Sequence, residues 1–154
     1  MKRIYTAAVV GGGAGGSLSM AALAASERFD LVALADISPA ARAAASERYP
    51  ALQTFADHRQ MLASAPVDVV CVATWPPSHL EVTADALALP LRGILVEKPL
   101  ADTAASGRQV LELIKARRLP MAVPHGLLVA DHSRQVQELV HGGAIGDLKL
   151  VEIQ

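Results

Sequence analysis

The sequence predicts an α/β chain built as a doubly wound parallel sheet in three αβα layers. Three observations predict it: short apolar runs of β-formers alternate with helical stretches, a glycine cluster follows the first run directly, and the run from Val67 to Ala73 is apolar apart from Asp68, as expected of a strand covered on both faces. The 154 residues suit one substantial core, and the 52% counted as hydrophobic include many alanines and only 3% aromatics, which fits helices packed closely on a sheet and argues against disorder.

The elements follow in order. Ile4 to Val10 is a strand pattern, and the glycines after it open an alanine-rich helix from about Ala14 to Glu27. Leu31 to Ala35 is a second strand ending at Asp36, after which Ser38 caps a helix with Pro39 at its first position, running to about Arg48. Gln53 to Phe55 reads as a short strand, and Asp57 caps a brief helix toward Ala63. The interior strand Val67 to Ala73 is followed by the turn Thr74 to Ser78 and a helix to about Leu89. Gly93 to Val96 is the next strand, and Asp102 is expected to cap a helix through Arg117, with Val110, Leu111 and Ile114 spaced for one buried face. Pro120 to Pro124 reads as a further strand, and Val136, Leu139 and Val140 mark a last helix ending at Gly142 and Gly143.

Several partner classes are excluded by composition. Formal charge is −1 and the basic residues are scattered, with one short cluster at Lys115, Arg117 and Arg118, so no nucleic-acid footprint is present. No apolar stretch reaches the roughly 18 to 20 residues of a membrane span, and Met1 to Tyr5 runs straight into a strand pattern without a signal peptide. The one cysteine, Cys71, lies within an apolar run and reads as a core residue, which fits a reducing cytoplasm. His58, His132 and His141 lack metal-ligand spacing with each other or with Cys71, and no metal is expected.

The chemistry is carried by the strand ends. Gly11, Gly13 and Gly16 satisfy G-x-G-x-x-G between the first strand and the first helix, the setting in which the pattern binds a dinucleotide. Glycine permits the tight turn and the close backbone approach, and Gly13, Ala14, Gly15 and Gly16 turn the positive helix end toward the pyrophosphate. Asp36, roughly 20 residues beyond the loop, is placed to accept hydrogen bonds from the adenosine ribose, with Ile37 beside it. That carboxylate repels a 2′-phosphate, and neither Ile37 nor Ser38 supplies a cation, so NAD is favoured over NADP; Arg42, one turn onward, is the cation that could reach such a phosphate. These features predict a Rossmann fold.

Val96, Glu97, Lys98, Pro99 and Leu100 after one late strand, with Thr74, Pro76 and His79 after the preceding one, resemble the Gfo/Idh/MocA oxidoreductase family. The resemblance runs from the glycine loop to Gly142, Ala144, Ile145, Gly146 and Asp147. It implies NAD(P)-dependent hydride transfer on a sugar, polyol or related small molecule, with Lys98 beside nicotinamide and substrate as the catalytic residue. It also implies that Thr74, Trp75, Pro76 and His79 border the dinucleotide and that Glu97 orients the lysine or the local backbone. Trp75 stands where the family often has proline, so it either lines the nicotinamide pocket or covers apolar surface. Ser19 stands where many members carry histidine, and Pro124, His125 and Gly126 replace a more usual polar segment. His125 reads either as a substrate contact or as a structural histidine.

In the family an aspartate and histidine for proton transfer belong to a second, substrate domain, which is expected to be absent from this sequence. Residues 1–146 are accordingly read as the dinucleotide-binding domain and 147–154 as the start of a strand of the missing one. Leu148 to Ile153, left as an unpaired edge, would favour homo-oligomers. The alternative to the dehydrogenase reading is a free-standing module that senses NAD or recruits a partner without chemistry.

Overall fold

The computed structural model describes residues 3–152, the side chains of Leu127 and Leu128 excepted. Contacts divide the chain into two compact units, Met1–Pro124 and His125–Gln154.

The first unit is a six-stranded sheet in the order β3-β2-β1-β4-β5-β6, with every pairing parallel. Its strands are β1 (Tyr5–Val10), β2 (Phe29–Ala35), β3 (Gln53–Phe55), β4 (Val69–Val72), β5 (Gly93–Val96) and β6 (Met121–Ala122). Between them run α1 (Ala14–Ala24), α2 (Pro39–Arg48), α3 (His58–Ser64), α4 (His79–Ala86) and α5 (Ala104–Arg117), with a 3₁₀ turn at Pro76–Ser78. The sheet turns back on itself at β1, so the carboxyl ends of β1 and β4 flank the crevice where doubly wound sheets bind ligands.

The side-chain alternation of the strands divides the core in two. Ala8, Val10, Ala33, Ala35, Val70, Val72, Ile94 and Val96 face α3, α4 and α5 through Met61, Leu62, Val82, Ala86, Val110 and Ile114. The intervening Ala7, Val9, Leu34 and Cys71 face α1 and α2 through Met20, Leu23 and Ala45. Both faces are therefore covered, which explains the continuous apolar runs. The alanines at these positions let the helices approach the sheet closely.

Several boundaries differ from the sequence reading for identifiable reasons. β2 begins at Phe29, whose ring packs 6.2 Å from that of Tyr5, and α1 ends at Ala24. β4 begins at Val69, and Asp68 just before it accepts with its carboxylate from the Thr6 N–H at 3.2 Å and the Arg92 Nε at 3.1 Å. Thr103, not Asp102, caps α5. Its hydroxyl accepts from the Ser106 N–H at 3.1 Å while Ser106 Oγ accepts from the Thr103 N–H at 3.2 Å, a reciprocal pair that leaves Asp102 to accept from the Ser106 hydroxyl. β6 shrinks to two residues because Pro120 and Pro124, lacking N–H groups, bracket it on the sheet edge.

The second unit contains α6 (Gly126–Val129) and α7 (Asp131–His141). α7 ends at Gly142, and Gly143 and Gly146 take positive φ values of 72° and 69°. Residues 148–152 are not in a strand, and Ile153 lies outside the described residues.

Candidate functional site

The strands of the first unit finish level with one another. Val10 is in register with Ala35 and Val72, Ala35 with Phe55, and Val72 with Val96. The next residues, Gly11, Asp36, Ala56, Ala73 and Glu97, thus form one row along the carboxyl edge.

At the centre of that row the glycine loop is fixed by close packing. Gly11 has φ 97°, and a Cβ there would lie 2.5 Å from the Ala73 carbonyl oxygen; a Cβ on Gly16 would lie 1.7 Å from the Gly11 carbonyl oxygen. No larger residue fits either position without moving backbone. Gly13 differs, because it caps α1 with an ordinary φ of −65° and a Cβ on it would meet nothing within 4 Å. It borders open space. No side chain caps α1, and its first internal bond runs from the Ser17 N–H to the Gly13 carbonyl, so the preceding N–H groups are available to a ligand.

Asp36 is held from both sides. One carboxylate oxygen accepts from the Gly12 N–H and the other from the Ser38 N–H at 2.7 Å, which ties the acid to the glycine loop and to the start of α2. Each oxygen keeps a further lone pair. The Arg42 guanidinium is engaged with main-chain carbonyls, 2.7 Å from that of Asp36 and 3.2 Å from that of Ile37.

A cavity of about 540 Å³ opens beside these groups, lined by Gly11, Gly13, Asp36, Ile37, Thr74 and Trp75 among the expected residues. Its remaining walls include Ala56, Asp57, His58, Arg59, Ser78, Glu81 and Val82, which sequence reasoning did not assign to the site. Asp57 caps α3 as expected, and the Gln60 and Arg59 N–H groups on its carboxylate hold it below the usual carboxylate range. The Arg59 guanidinium bridges Glu81 and Asp85 on α4, and His58 Nε2 lies 2.8 Å from Asp85. The one advance signal was charge near the starts of two short helices, which is ordinary on any surface.

Ala14, Gly15, Gly16, Pro76, His79, Glu97 and Lys98 do not line this cavity. The Glu97 side chain instead packs on the first turn of α1, its Cγ and Cδ 3.0 Å from where a Gly15 Cβ would be. Its carboxylate accepts from the Lys98 N–H at 3.0 Å, so Glu97 orients the local backbone and leaves the lysine side chain exposed. The Lys98–Pro99 peptide bond is cis. His79 is fully buried, with Nδ1 3.2 Å from the Leu100 carbonyl and Nε2 3.0 Å from that of Thr74. Its ring links the turn after β4 to the segment after β5. Cys71 lies beneath the edge, its thiol pushed up to about 12 by burial and then by the Glu97 charge. Among the described residues no three His, Cys, Asp or Glu side chains gather as a metal site, and no helix is long and apolar enough to cross a membrane.

Comparison with known proteins bears on this arrangement. Residues 5–125 match the Gfo/Idh/MocA profile, described as an oxidoreductase family with an NAD-binding Rossmann fold. An inositol 2-dehydrogenase of Burkholderia multivorans is 37% identical over 83 residues, 53% of this chain and 24% of that protein. The rhizopine catabolism protein MocA of Rhizobium meliloti is 27% identical over 143 residues, 93% of this chain and 44% of its own length. The crystal structure of a myo-inositol 2-dehydrogenase from Lactobacillus plantarum superposes with a TM-score of 0.86 at 21% identity, over 94% of this chain and 43% of that one. The chain thus spans less than half the length of these proteins.

Proposed function

The chain belongs to the Gfo/Idh/MocA oxidoreductase family, and from that premise we propose that it binds NAD in preference to NADP and serves hydride transfer to or from a sugar, polyol or related small substrate. The observation that carries the cofactor reading is the pairing of an open glycine helix cap with a fixed acid. Gly13 faces space that a Cβ would fill, and Asp36, anchored by two main-chain N–H groups, keeps a lone pair on each oxygen for a pair of ribose hydroxyls. The residues present fit a dinucleotide.

When bound, nicotinamide supplies the hydride acceptor or donor. The uncapped N–H groups at the start of α1 hold the pyrophosphate, and the helix dipole favours its charge. Asp36 orients the adenosine ribose and disfavours a phosphate at its 2′ position, and Arg42, occupied with the Asp36 and Ile37 carbonyls, does not offset that repulsion. Lys98 donates a hydrogen bond to the substrate oxygen as its charge changes; its main chain is fixed by Glu97, and among the described residues no carboxylate pairs with its ammonium. The names of the relatives, an inositol dehydrogenase and a rhizopine catabolism protein, support a polyol class of substrate.

Asp36→Ala tests the ribose role. It is expected to weaken NADH more than NADPH and so narrow the gap between their dissociation constants in calorimetry, with circular dichroism confirming the fold. An unchanged gap would remove Asp36 from cofactor selection.

A further inference from the structure

We infer that Trp75 is the platform on which the adenine ring stacks, facing Ile37 across the adenosine end of the cleft; this rests on the cofactor reading above and assigns one residue a task within it. Trp75 and Ile37 are 77% and 89% exposed, large apolar surfaces that the core does not use. Both line the same cavity as Asp36. Adenine is bonded to the ribose that Asp36 receives, so the base must lie in the part of this cavity next to that acid. Glu97 and Lys98, which would mark the nicotinamide side, are not among its walls.

The surroundings of Trp75 are organised before any ligand arrives. Its carbonyl accepts from the Ser78 N–H at 2.9 Å and lies 2.8 Å from the Ser78 hydroxyl, while Pro76 and Pro77 stiffen the main chain that follows. On a neighbouring wall the Arg59 guanidinium is pinned by Glu81 and Asp85 and presents a fixed planar cation beside the base. An indole face in water on a held backbone gains by covering a purine and loses little freedom in doing so. A proline could not supply that surface.

Trp75 is the sole tryptophan of the chain, so indole fluorescence reports on it alone. The full chain is titrated with ADP-ribose, which carries adenine without nicotinamide, and separately with nicotinamide mononucleotide, with calorimetry of NADH alongside. Saturable quenching by ADP-ribose and none by the mononucleotide is expected, with Trp75→Ala weakening ADP-ribose binding about tenfold and Trp75→Phe restoring most of it. Quenching by the mononucleotide alone would move Trp75 to the nicotinamide side and overturn the inference. Calorimetric binding of ADP-ribose with unchanged fluorescence and an unaffected alanine variant would overturn it while sparing the cofactor reading. Absence of NADH binding would overturn both.

Discussion

Three glycines of one loop do different work. Gly11 and Gly16 are required by neighbouring backbone, whereas Gly13 borders open space. Gly13→Ala is therefore expected to lower the thermal midpoint only modestly, since alanine is the poorer helix cap by about 1 kcal/mol. NADH binding should fall sharply, because the new methyl group occupies the approach of the pyrophosphate; calorimetry and a melting curve on one sample separate the effects. Full binding would show that the phosphates do not pass Gly13. Cys71 gives a second prediction. An exposed thiol ionises near pH 9 and this one near 12, so between those values the unfolded chain releases a proton that the folded chain keeps. Stability then falls as pH rises through that window. Urea midpoints should drop more steeply above about pH 9 for the native chain than for Cys71→Ala, and equal slopes would contradict the burial argument. At this scale spacing brought Gly11, Gly13, Asp36 and Ile37 together, and all four line one cavity. Arg59 and Glu81 escaped because their place depends on α3 packing beside α4, a contact that local pattern does not encode. The burial of His79 was not legible either, since it is decided by the two loops that close over the ring.

Among the elements, those with strong local chemistry were legible to the residue. Ser38 accepts from the Ala41 N–H at 3.3 Å with Pro39 following, Asp57 caps α3, and β5 runs from Gly93 to Val96 as the pattern indicates. α5 shows where adjacent polar residues compete. Asp102 and Thr103 both suit a cap, and the reciprocal bond with Ser106 decides for Thr103. Thr103→Ala should cost about 1 kcal/mol in denaturant unfolding, as cap removal commonly does, whereas Asp102→Ala should cost clearly less. The reverse ranking would return the cap to Asp102. β6 is shorter than its apolar run because the prolines at either end, Pro120 and Pro124, lack the N–H groups a ladder needs.

For the whole molecule, the alternation of strands and helices together with right-handed crossovers led to a sheet covered on both faces, and the two core clusters are those faces. The ends of β1 to β5 thereby fell along one edge of the sheet, which is why motifs far apart in sequence could be read together. Much of the remainder was illegible because function in this family is spread over more chain than these residues, which cover 24% to 44% of the two curated relatives described above. Within residues 125–154, Val136, Leu139, Ile145 and Leu150 are 54% to 80% exposed, apolar surface that local helix formation alone does not bury. The measurement that tests the central claim most directly is calorimetric titration of the chain with NADH and with NADPH. The predicted result is saturable binding of one dinucleotide per chain, tighter for NADH; failure of both to bind would contradict the reading of the glycine loop and Asp36 as a cofactor site.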